Sequence, residues 1–93
     1  MIMTFENSVA IVRTRKDNVV GCHMISTYDY EKENPNQFVY DEYRCKRFEL
    51  VETVGGCVIV KTEETLEHSK AKITNEIIFE NVTEVEILTT HKL

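Results

Sequence analysis

The residues best equipped for chemistry lie between Tyr28 and Phe48. All four tyrosines (Tyr28, Tyr30, Tyr40 and Tyr43), the phenylalanines Phe38 and Phe48, and the basic trio Arg44, Lys46 and Arg47 fall in this stretch. Tyrosine offers a rigid ring for stacking and a hydroxyl for hydrogen bonding, while arginine offers a planar fork for carboxylate or phosphate. Arg13, Arg15 and Lys16 approach a turn and would extend this basic surface. The expected anchors are Tyr30, Tyr40, Tyr43, Arg44, Arg47 and Arg13, because aromatic residues and arginine dominate interface energetics. The commonplace use of the same residues is packing, with Phe38 and Tyr40 under a sheet and the bases in solvent.

Other chemistries find less support. Asp29, Glu31, Glu33, Asp41 and Glu42 interrupt the basic run, whereas direct nucleic-acid binding calls for a concentrated positive footprint. Glutamates along residues 49–86 could imitate a phosphate track, yet a solvated outer face explains them more simply. Cys22, His23, Cys45, Cys57, His68 and His91 show no metal-ligand spacing, so no metal or cofactor is expected. Cys22 and His23 are adjacent on a strand and point to opposite sides, which excludes a nucleophile–base dyad between them. Gly55-Gly56 reads as a turn and not as a phosphate-cradling loop. No residue pattern argues for an enzyme.

Ninety-three residues specify one small domain, expected over 1–93. The net charge of −5 is unevenly placed: residues 1–48 hold seven acids and seven bases, and residues 49–93 hold nine acids and four bases. Three cysteines without close spacing suit a reducing compartment more than a disulfide framework. No signal-like N-terminus and no run of about 20 apolar residues is present, so a cytoplasmic location without membrane contact is expected.

The elements that must hold these residues follow from a two-residue period in apolar side chains. Val9–Ile25 alternates through Asp17-Asn18, pairing Ile11 with Met24, Arg13 with Cys22, Ala10 with Ile25 and Val12 with His23. Val51–Lys61 alternates through Gly55-Gly56, which would oppose Val51 to Val60 and Thr53 to Val58 on a core face. Ile2–Phe5, Phe38–Tyr43, Phe48–Val54, Glu76–Phe79 and Val82–Thr89 are also strand-like, with 38–54 readable as one bent strand. Residues 63–71 suggest one short helix, since Glu63, Glu64 and Glu67 precede His68, Lys70 and Lys72 in the order that complements a helix dipole. Its apolar stripe is thin, and a charged β-hairpin is the alternative. Phe5-Glu6-Asn7 recurs as Phe79-Glu80-Asn81, which reads as two similar turn-to-strand entries.

The fold expected is therefore mainly β: a single antiparallel domain of about six strands, barrel-like or strongly curved, with α+β as the alternative. The function expected is a non-catalytic, self-associating binding module that occupies a partner protein's surface, in the manner of an inhibitor or accessory subunit. The alternatives are sequestration of a nucleotide-like small anion by a Tyr/Arg pocket, and acidic nucleic-acid mimicry. Small β domains often pair edges with a second copy, so a homo-oligomer is expected.

Overall fold

A computed structural model describes residues 2–30, 41–52, 55–65 and 71–89. Eight strands succeed one another: β1 (Ile2–Phe5), β2 (Ser8–Lys16), β3 (Val19–Thr27), β4 (Asp41–Cys45), β5 (Arg47–Glu52), β6 (Val58–Thr65), β7 (Lys72–Phe79) and β8 (Val82–Thr89). They form two four-stranded sheets, ordered β1-β5-β6-β7 (sheet 1) and β4-β3-β2-β8 (sheet 2). One core cluster draws Ala10, Val12, Ile25 and Cys45 from sheet 2 and Phe48, Leu50, Val58, Val60 and Phe79 from sheet 1, so the sheets pack face to face. Each large apolar side chain removed from water there contributes roughly 1.5–3 kcal/mol.

The β2–β3 hairpin has the register that its pattern dictates, with Ala10 opposite Ile25 and Val12 opposite His23. Asp17 takes a left-handed φ of 55°, which the favoured two-residue hairpin turns require and which Asp tolerates better than most residues.

Several expectations need correction. Among the described residues there are eight strands instead of about six, and they form two sheets with edges instead of closing into a barrel. The arrangement is not wholly antiparallel, because β4 runs parallel to β3; a parallel neighbour is reached by a crossover and not by a hairpin. The helix is absent where described: Glu63, Glu64 and Thr65 belong to β6 and Lys72 opens β7, while 66–70 lie outside the described residues. No helix occurs among the described residues, which are mainly β. Of the acids and bases that suggested a helix dipole, Glu63 and Lys72 stand on adjacent strands as an ion pair, with Lys72 Nζ 3.5 Å from Glu63 Oε2.

The β5–β6 register is also displaced by one residue from expectation. Leu50 pairs with Val60 and Val51 with Ile59, whereas a two-residue turn at Gly55-Gly56 would set Val51 opposite Val60. Gly55 and Gly56 adopt left-handed backbone, at φ 86° and 75°. The core face is thus Leu50, Val58 and Val60, and Val51 and Ile59 lie half-buried on the other.

Three tight corners carry the chain from sheet to sheet. Glu6-Asn7 joins β1 to β2, Lys46 alone joins β4 to β5, and Glu80-Asn81 joins β7 to β8. Asn7 and Asn81 both adopt positive φ, 50° and 56°, the conformation Asn accepts most readily after glycine. The Phe-Glu-Asn echo is therefore one corner geometry used twice. No helix among the described residues is long and apolar enough to cross a membrane.

Candidate functional site

The six anchor residues are dispersed. Tyr43 and Arg44 sit together on β4, the edge strand of sheet 2. Arg47 lies near the carboxylates of Glu6, in the β1–β2 corner, and Glu63 on β6, its Nε 3.6 Å from Glu6 Oε1 and from Glu63 Oε2. Arg13 hydrogen-bonds Glu86 at 3.1 Å and lies 3.6 Å from Glu84. Tyr30 packs on a second apolar cluster of Val9, Ile11 and Met24. Tyr40 lies outside the described residues. The three arginines thus occupy three separate places, each beside its own oxygen partners. Phe48 is fully buried and stacks on Phe5 with ring centroids 5.2 Å apart.

Tyr43 and Arg44 border a cleft of about 400 Å³ between β4 and the β6–β7 hairpin, lined also by Glu42, Thr62, Glu64, Asn75 and Ile77. Tyr28 braces its rim. Its backbone N–H donates to Cys45 O at 2.8 Å, and its hydroxyl donates to Glu64 Oε1 at 2.5 Å. Arg44 donates to Tyr28 O at 3.3 Å, with its guanidinium carbon 5.8 Å from that ring's centre. The hydrogen bond to Glu64 raises the Tyr28 pKa above its ordinary value, with burial adding to it. Cys45 behind the rim is pushed up to about 12, first by burial and then by the Glu64 and Asp29 carboxylates, so its thiol is protonated and inert at neutral pH.

A second polar constellation lies on the core-facing side of sheet 2. His23 Nδ1 is 2.5 Å from Asp41 Oδ1, and Tyr43 donates its hydroxyl to Asp41 Oδ2 at 3.1 Å. His23 Nε2 lies 3.5 Å from Thr14 Oγ1. Both rings pack on Phe79 of the opposite sheet, with centroids 5.1 Å away for His23 and 6.3 Å for Tyr43. Burial, followed by the bond to Asp41, raises the Tyr43 pKa. Register places these residues: Val12 opposes His23, Thr14 opposes Gly21, and the parallel β3–β4 ladder sets His23 beside Asp41.

The sequence did not mark this second group. By residue type His23 reads as a candidate metal ligand or a neighbour of Cys22, and Asp41 as an interruption of positive charge. Tyr28 and Glu64 also went unselected as a pair. No local signal announces either pairing, since both depend on strands brought together from distant parts of the chain. Among the described residues no three of the His, Cys, Asp and Glu side chains gather to hold a metal ion. No family model matches the chain, and neither a curated protein nor a solved structure matches it.

Proposed function

We propose that the chain is a binding module that acts by occupying a partner protein's surface, receiving a basic segment of that partner in the β4/β6–β7 cleft. One observation carries this reading: the cleft pairs the carboxylates of Glu42 and Glu64 with the apolar surface of Tyr43 and Ile77. Arg44, the one cation among the described lining residues, is engaged with the Tyr28 carbonyl and ring. A lysine or arginine suits such a lining, because its stem packs on apolar surface while its head meets carboxylate oxygen. The acidic balance of the chain adds long-range attraction for a basic partner.

The test uses short extended peptides carrying Arg or Lys between apolar residues, with acidic peptides of equal length as controls. Amide shifts in a two-dimensional NMR titration are expected to move at Glu42, Tyr43, Glu64, Asn75 and Ile77 with the basic peptides alone. Binding should weaken several-fold in Glu64→Gln and fall with added salt. Equal response to the acidic peptides, or shifts confined to another face, would overturn the reading.

A further inference from the structure

We infer that Thr14, His23 and Asp41 form a nucleophile, base and orienting carboxylate able to accept an acyl group from a small ester. This site is separate from the cleft and does not rest on its reading. Asp41 is an acceptor only, so the hydrogen on the His23 ring stands on Nδ1, facing it. In the neutral ring Nε2 is then left as an acceptor, directed at the Thr14 hydroxyl. That is the arrangement in which a hydroxyl gives up its proton to a neighbouring imidazole as it attacks a carbonyl.

Three further features suit the group to this use. The atoms come from β2, β3 and β4, adjacent strands of one sheet, so backbone hydrogen bonding fixes their spacing. Thr14 and His23 line a pocket of about 240 Å³ with Lys16, Val19, Gly21, Glu80 and Asn81, large enough for a small acyl group. The His23 side chain is 21% exposed, which leaves the pair accessible. Gly21 is what makes room: a Cβ there would stand 2.5 Å from Thr14 Oγ1 and 3.2 Å from His23 Nε2.

In the step, Thr14 Oγ1 bonds to the ester carbonyl carbon as its proton passes to His23 Nε2. The carbonyl π pair moves onto oxygen, where Lys16 and Asn81 are the lining groups able to donate to it. Collapse re-forms the carbonyl and breaks the bond to the alcohol oxygen, which leaves with the proton from Nε2. Thr14 now carries the acyl ester. Water then attacks by the same route, releasing the carboxylic acid and restoring the hydroxyl.

The experiment exposes the whole chain to p-nitrophenyl acetate, quenches with acid, and locates acetyl groups by peptide mass spectrometry. Acetylation at Thr14 is expected, absent in Thr14→Val and slowed at least tenfold in Asp41→Asn, with thermal midpoints recorded to show that both variants fold. Ile78→Thr, at an exposed position of β7, should acetylate at the parent rate. Acetyl confined to lysines, cysteines or the amino terminus overturns the proposal, and so does Thr14 labelling that proceeds equally fast in Asp41→Asn.

Discussion

The cleft and the Thr14–His23–Asp41 pocket share a strand but are built on different principles. The pocket's three polar groups sit on neighbouring strands of sheet 2, so the ladder that holds the sheet also holds their spacing. The cleft takes Tyr43 and Arg44 from sheet 2 and Thr62, Glu64, Asn75 and Ile77 from sheet 1. Its shape therefore depends on how the sheets pack, and its rim on side-chain bonds such as Tyr28 to Glu64. A site set by backbone register resists loosening of the core, whereas one set by packing yields to it. The first kind suits chemistry that needs fixed distances, and the second suits a surface that adapts to a partner.

The strongest way to break this contrast is to remove packing between the sheets. Phe48 is fully buried at their interface, and Phe48→Ala is expected to cost about 3–5 kcal/mol. That is a large part of the roughly 5–15 kcal/mol that holds a domain folded. Urea titration measures the loss. In the population still folded at low temperature, amide shifts at Glu64, Asn75 and Ile77 should move more than those at Thr14, Gly21 and His23. The reverse order would end the distinction.

Alkali acts next, at the strand the two regions share. The Cys45 thiol is raised from its ordinary 9.0 to about 12 in the folded chain. The unfolded chain loses that proton first, so the contribution to stability is full below pH 9 and is lost as pH climbs toward 12. The slope from this group is at most about 1.4 kcal/mol per pH unit. Tyr28 and Tyr43, also raised, act in the same direction above pH 10. Urea titrations at pH 8–11 should show the decline, and Cys45→Ala should flatten its early part.

Gly21→Ala sharpens the contrast from the other side. Its Cβ would collide with the Thr14 hydroxyl and press on the His23 ring, at an expected cost of about 1–3 kcal/mol. Shifts should concentrate at Thr14, His23 and Asp41 and leave Asn75 and Ile77 in place. Movement at the cleft as large as at the pocket would show that the two regions are one mechanical unit.

The sequence carried local information well and distant information hardly at all. The β2–β3 register followed from Asp17-Asn18 and the alternation on either side. The β5–β6 register slipped by one residue because Gly55-Gly56 resembles a two-residue turn, whereas Glu52 pairs with Val58. Residues 63–72 misled because acids followed by bases suit a helix dipole and a cross-strand ion pair equally. Tyr43 and Arg44 are neighbours in the sequence and stand together on β4, which needs no distant pairing. Asp41 beside His23, and Tyr28 beside Glu64, arise from pairings 18 and 36 residues apart that leave no periodic trace.

Both regions exist because β4 lies alongside β3 in the parallel sense. Inter-strand nuclear Overhauser effects in the uniformly labelled chain test this directly. Backbone contacts should ascend together, with His23 near Asp41, Ile25 near Tyr43 and Thr27 near Cys45. A descending series, or no contact between these strands, would separate His23 from Asp41 and remove the strand that walls the cleft.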